Sequence, residues 1–143
     1  MCRVSSCIFC NIVSVEVPAS VVYEDDAVIA FLDVAPLTEG HLLVVPREHF
    51  GKLTEVPPSV AAKLGSVLPS LGRALLEVTK AEGFNVLVNE GRAAGQQVSH
   101  LHFHLIPRKS GDLLGYRWNP GSYPPGRAGE LAVLLQTAVS RYR

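Results

Sequence analysis

Five consecutive residues, His100-Leu101-His102-Phe103-His104, put three of the chain's five histidines at every second position. Along a strand, alternate side chains share a face. The three imidazoles then point one way, and Leu101, Phe103 and Leu105 point the other way into a core. Ordinary solvated strand faces carry Lys, Glu, Thr and Ser, so three imidazoles there ask for chemistry. Two chemistries fit. Alternating imidazoles can reach one metal ion with a third ligand from elsewhere. Alternatively, one imidazole nitrogen attacks phosphorus while its neighbours fix its tautomer and stabilise the developing charge.

The loop before this run bears on the choice. It reads Asn89-Glu-Gly91-Arg-Ala-Ala-Gly95-Gln96-Gln97. Gly91 and Gly95 permit backbone conformations that aim N–H groups at an anion. Asn89 and Gln96 add neutral donors. Neutral donors together with backbone amides suit a phosphate better than a divalent cation.

Bulk composition sets outer limits. The chain has 143 residues, the size of one ordinary domain (residues 1–143), and 48% are hydrophobic, enough for a core without disulfides. Thirteen basic residues balance thirteen acidic ones. That excludes a broad nucleic-acid footprint and a polybasic membrane anchor, but not a local site for a small anion. Three cysteines, Cys2, Cys7 and Cys10, crowd the first ten residues, which is no secreted disulfide framework. With no signal-like apolar region and no membrane-length stretch, the expected location is cytoplasmic, with no membrane partner.

The elements that must position the histidines follow from periodicity. Apolar Ile8, Phe9, Ile12 and Val13 predict a short helix over residues 7–15, stopped by Pro18. Residues 20–24 and 27–32 read as a hairpin turning at Asp25-Asp26. A Pro- and Gly-bearing loop over 33–40 leads to a nearly all-apolar central strand over 41–46. Val60, Leu64, Val67, Leu71, Leu75 and Val78 keep a helical period from Pro57 to about Lys80, with a bend expected at Pro69. Strands are predicted over 84–88 and 98–107, irregular chain over 108–127, and a last helix over about 128–140. The order implies an α+β fold with a mostly antiparallel five-stranded sheet and two main helices.

These residues resemble the histidine triad (HIT) family, whose signature alternates three histidines with apolar positions as His-Leu-His-Phe-His-Leu-Ile does here. Cys7-Ile-Phe-Cys10-Asn-Ile, Tyr23-Glu-Asp-Asp, Phe31-Leu-Asp33, the run from Pro36 through Gly40-His41 to Pro46, Asn89-Glu-Gly and Ala94-Gly-Gln are similar to HIT blocks in the same order. They cover about residues 7–112, leaving a less similar tail over 113–143. The resemblance implies a homodimer whose two sheets join into one larger sheet. It also implies a nucleotidyl hydrolase or transferase acting on the α-phosphate of a purine (adenosine) nucleotide derivative. His102 matches the nucleophile that forms a transient nucleotidyl-histidine, and His104 a donor to the phosphate or leaving group. His41 matches a histidine that supports the triad's hydrogen bonding; its other reading is a surface histidine at a strand start. Asn89, Gly95 and Gln97, the last through its backbone, fall at phosphate contacts, and Asp33 at a ribose-hydroxyl acceptor. Ile8, Phe9, Ile12, Val22 and Phe31 fall in the base pocket, with plain core packing as the other reading of each. Gln97 replaces the serine of many Hint-type members. The Pro107-Arg-Lys-Ser-Gly-Asp112 run is nearer the Fhit branch, which cleaves dinucleoside polyphosphates. Asn89-Glu-Gly and Asp33 are nearer the Hint branch, which favours phosphoramidates and acyl-nucleotides.

Cys7-Ile-Phe-Cys10 is half of a zinc site by spacing, and a tetrahedral structural site needs two more ligands. His49 and His100 are the candidates, and bacterial HIT members with the same C-x-x-C support that set. Cys2 reads as a bystander. His100 would then hold structure while His102 and His104 do chemistry. Two other functions stay open at this point: a nucleotide-binding regulatory or interaction protein with little turnover, and a metal hydrolase using His100, His102 and His41.

Overall fold

A computed structural model of the chain describes residues 4–115 and 117–142; Cys2 and Tyr116 lie outside the described residues. Helix α1 (Ile8–Val13) precedes strands β1 (Val21–Glu24), β2 (Val28–Leu32) and β3 (Leu42–Pro46). The long helix α2 (Pro58–Thr79) follows, then β4 (Gly83–Val88), β5 (Phe103–Arg108) and helix α3 (Arg127–Tyr142). The sheet runs in the order β1-β2-β3-β5-β4, and all four pairings are antiparallel. The α+β architecture, five strands and two main helices agree with the pattern read from sequence.

The hairpin closes on a weak turn sequence because Asp25 supplies the missing bonds. Its Oδ1 accepts from the Ala27 and Val28 amides, each at 2.8 Å, and its Oδ2 accepts from the Tyr23 hydroxyl at 2.6 Å. Pro58 begins α2, where a missing N–H costs nothing. Helix α2 continues through Pro69, which cannot donate to the carbonyl one turn earlier.

Two different surfaces result. On one face Leu42, Val44 and Leu105 meet α2 and α3 through Leu64, Leu71, Leu75, Leu131 and Leu135. All eight are fully shielded from water, and a buried leucine contributes roughly 2–3 kcal/mol. Gly72 is needed there, because a Cβ would sit 2.3 Å from the Phe84 ring. The other face carries Ile29, Phe31, Leu43 and Val45 under Cys7, Phe9 and Cys10 of the α1 region. His104 is in register with Leu43 and so opens onto this second face. The outer edges differ too. Gln136 on α3 donates to the Val21 carbonyl of β1 at 2.7 Å, whereas Val86 on β4 is 43% exposed at an open edge.

Three expectations need correction. The histidine run is not wholly strand: β5 starts at Phe103, not at residue 98. His100 and His102 lie on an extended approach in which the Leu101 amide bonds the Phe50 carbonyl at 2.7 Å instead of a neighbouring strand. Val22 packs in the helix-side core, not in a pocket, because β1 aims it at that face. His41 is fully buried, so it is no surface histidine at a strand start.

Candidate active site and metal centre

The second face of the sheet holds a cavity of about 540 Å³. Its apolar end is formed by Ile8, Phe9 and Ile12 of α1 with Phe31 and Leu43, and Phe9 meets Phe31 edge-on with centroids 5.5 Å apart. Its polar end gathers Asp33, Asn89, Gly95, Gln97, His102 and His104. Residues 69 positions apart thus share one wall, because β2 and β5 both border β3.

Hydrogen bonds fix which nitrogen of each imidazole carries the proton. His102 Nδ1 lies 2.7 Å from the His100 carbonyl. A carbonyl only accepts, so Nδ1 donates and Nε2 keeps a free lone pair. The second chain of bonds runs the other way. The Leu37 amide donates to His41 Nδ1 at 3.1 Å, so His41 carries its proton on Nε2. That N–H donates to His104 Nδ1 at 2.9 Å, and His104 therefore carries its own proton on Nε2. Two imidazoles whose centroids are 4.9 Å apart end up opposite in character. His102 offers a lone pair to the cavity and His104 offers an N–H.

Burial keeps the set neutral. It pushes His41 down to about 4 and His104 to about 3, with the His102 charge acting in the same direction on both. His102 is lowered by burial as well, against the opposing pull of the His100 carbonyl and the Asp33 charge. Asp33 Oδ1 accepts from the Ala35 amide at 2.9 Å, and its Oδ2 lies 3.7 Å from His41 Nε2.

The loop over 89–97 is bent by Gly91 (φ +85°) and Gly95 (φ +99°), backbone conformations that favour glycine. Gln96 is not among the cavity-lining residues. Its Oε1 accepts from the Gly91 amide, and its Nε2 donates to the Gly51 and Val98 carbonyls, which holds the loop in shape. Trp118 and Pro120, from the irregular stretch after β5, also line this chain's own cavity. The Trp118 ring lies edge-on to His104 (4.9 Å) and His41 (5.8 Å). No periodicity marks Trp118; a lone tryptophan in a Pro- and Gly-rich stretch is the one signal it leaves.

His100 belongs elsewhere. The ligand atoms of Cys7, Cys10, His49 and His100 all lie within 4.8 Å of one another. His100 Nδ1 is 3.4 Å from Cys7 Sγ and 3.6 Å from Cys10 Sγ, and His49 Nδ1 is 3.3 Å from Cys10 Sγ. Tetrahedral zinc with ordinary Zn–S and Zn–N bonds spaces sulfur and nitrogen about 3.5 Å apart. The His100 Nε2–H donates to the Pro46 carbonyl at 2.8 Å, leaving Nδ1 unprotonated as a ligand must be. Burial and the neighbouring Cys10 raise the Cys7 thiol, so a bound cation is what would hold Cys7 as a thiolate here. The residues fit zinc. A shared site of His100, His102 and His41 is not formed, because His100 is drawn to the cysteines.

The HIT domain profile matches residues 14–111. The chain belongs to the HIT family. An adenylylsulfatase of Arabidopsis thaliana is 44% identical over 110 residues, 77% of this chain; the match spans 56% of that relative's length. An adenosine 5′-monophosphoramidase of Candida albicans is 34% identical over 142 residues, covering 96% of this HIT chain and 93% of the relative. A Zn-bound histidine triad family protein from Mycobacterium smegmatis has a crystal structure that superposes with a TM-score of 0.84 at 40% identity. That match covers 96% of this chain and 95% of the other.

Proposed function

We propose that this HIT protein is a nucleotidyl hydrolase acting on adenosine 5′-phosphoryl compounds through a covalent intermediate on His102. The observation that carries the reading is the opposed pair of tautomers: a lone pair on His102 Nε2 beside an N–H on His104 Nε2, both bordering one cavity. In the first step His102 Nε2 bonds to the α-phosphorus, and the bond from phosphorus to the leaving group breaks. The His104 Nε2–H donates a hydrogen bond to the departing atom as negative charge builds there, and that atom takes its proton from water. A water oxygen then attacks phosphorus and its proton passes to solvent. The P–N bond breaks with its electron pair returning to His102 Nε2, and His104 keeps its N–H throughout.

The surroundings have matching tasks. In this reading Gly95, the Gln97 backbone and the Asn89 amide group bind the phosphate as its charge develops, since all three residues line the same cavity as His102 and His104. In this reading Asp33 accepts from ribose hydroxyls and the apolar slot of Ile8, Phe9, Ile12 and Phe31 takes the base, all five residues lining the cavity. Cys7, Cys10, His49 and His100 hold zinc in this reading, and a four-ligand site supplies cross-linking and no open position for chemistry. The open β4 edge, with Val86 exposed, is where a second copy would extend the sheet into a homodimer.

The two relatives' activities motivate the test. A hydrolysis panel of adenosine phosphoramidate, adenylyl sulfate and diadenosine polyphosphates should show turnover of at least the first two, lost in His102→Ala. Tight nucleotide binding with no turnover of any compound would instead make the protein a nucleotide-binding regulator.

A further inference from the structure

The chain of bonds that gives His104 its donor begins at one backbone amide, that of Leu37. That amide shares a peptide group with the Pro36 carbonyl. A peptide group is planar, with its C=O and N–H pointing opposite ways, so whatever holds the carbonyl also aims the N–H. The Pro36 carbonyl is held by the tail: the Gly121 amide donates to it at 2.8 Å. The other end of the same loop is held by the tail as well. The Gly40 amide donates to the Tyr123 hydroxyl at 2.8 Å, a half-buried bond across 83 residues of sequence. Gly40 sits at φ +95°, and a Cβ there would lie 2.7 Å from Thr79 Cγ2, so this corner cannot be rebuilt with another residue. Between the two ties the loop curls until the His41 amide meets the Thr38 carbonyl at 3.1 Å. A third tie, the exposed Arg127–Glu39 ion pair, lies on the surface and holds neither amide.

We propose that Gly121 and Tyr123 are positioning residues for His104: by pinning both ends of the 36–40 loop, they aim the Leu37 amide that sets the His41 and His104 tautomers. Mere anchoring of the tail would need contact anywhere on the surface. These two bonds instead bracket the single amide from which the relay starts. Gly121 and Tyr123 thus reach the chemistry without lining the cavity themselves. The consequence for turnover rests on the hydrolase reading above, whereas the tautomers can be read in the free protein.

The test is long-range ¹H–¹⁵N correlation of the imidazole nitrogens at neutral pH, with kinetics on adenosine phosphoramidate beside it. Wild type should show His41 and His104 each protonated on Nε2 and His102 on Nδ1. In Tyr123→Phe the His41 and His104 signals should move to the averaged values of mixed tautomers, with His102 unchanged. The kcat should fall about 10-fold with KM within about twofold. Glu39→Gln should alter neither reading. Pure tautomers and full kcat in Tyr123→Phe would overturn the proposal. If wild type turns over no adenylate derivative, the hydrolase reading falls while the nitrogen signals still decide this one. Should Tyr123→Phe fail to fold, amide exchange in wild type decides: Leu37 and Gly121 should open together. A Leu37 amide that stays protected after Gly121 exchanges would overturn the proposal too.

Discussion

Both faces of the sheet bury their side chains, yet by different means. On the helix side, aliphatic residues such as Leu42, Val44 and Leu105 meet leucines of α2 and α3. On the opposite side four buried imidazoles sit among α1, the 36–40 loop and the 89–97 loop, and no buried side-chain nitrogen or oxygen in the described residues lacks a partner. Packing is forgiving of detail, since any well-filled aliphatic arrangement excludes water. A buried imidazole is not forgiving, because each nitrogen must find a partner of the right sense. The difference implies that substitutions on the helix side change stability and leave chemistry alone, and that those on the histidine side divide between chemistry and architecture residue by residue.

The largest expected effect tests the chemistry of the second face. His102→Ala should lower turnover on the order of 10⁴-fold while the melting midpoint stays near wild type. A comparable loss of fold would show that His102 is architectural, and the contrast between faces would fail. Removing metal tests the other half of the same face. A strong chelator should lower the midpoint by roughly 10 °C, because Cys7 and Cys10 are then freed from the His49–His100 side. Surviving folded protein should still turn over substrate. Complete inactivation without unfolding would place the metal in the reaction.

The third prediction concerns the helix side. Leu75, fully buried between α2 and the sheet, should cost about 3 kcal/mol as Leu75→Ala in chemical denaturation. Turnover of the folded variant should match wild type; a large kcat loss would mean that the two faces are coupled. The smallest effect is graded with pH. His41 and His104 sit below the ordinary imidazole value when folded, at about 4 and about 3. Between those values and about 6.5 the unfolded chain binds more protons, so stability is complete above about 6.5. It should fall as pH drops toward 4, by on the order of 1 kcal/mol per pH unit for each histidine. His41→Phe should flatten part of that slope; an unchanged slope would show that other groups cause it.

Most of the framework was legible because it rests on periodicity. The apolar run at Leu42–Pro46 marked a central strand, and the leucines of α2 marked a buried helix face. What escaped depends on partners distant in sequence. The start of β5 was set too early because the alternation of His100 and His102 looks like a strand. The Phe50 carbonyl and the cysteine cluster, not a neighbouring strand, hold that segment. Gln96 was read as a phosphate donor, yet the amide that makes it a donor also lets it tie Gly51, Gly91 and Val98 together. Val22 was ambiguous because a strand residue's face depends on register, and β1 carries an irregularity between Val21 and Tyr23. Trp118 had no pattern to betray it. The meeting of His100 with the N-terminal cysteines was legible, since a C-x-x-C at the start needs two further ligands and His100 could supply one.

The central claim is that His102 carries the nucleotide covalently. Rapid-quench mass spectrometry of the protein mixed with adenosine phosphoramidate, followed by peptide mapping, tests it most directly. The account predicts a transient adenylyl adduct on the peptide containing His102, formed and lost at rates that match turnover and absent from His102→Ala. Turnover with no adduct, or an adduct on another residue that persists in His102→Ala, would contradict it.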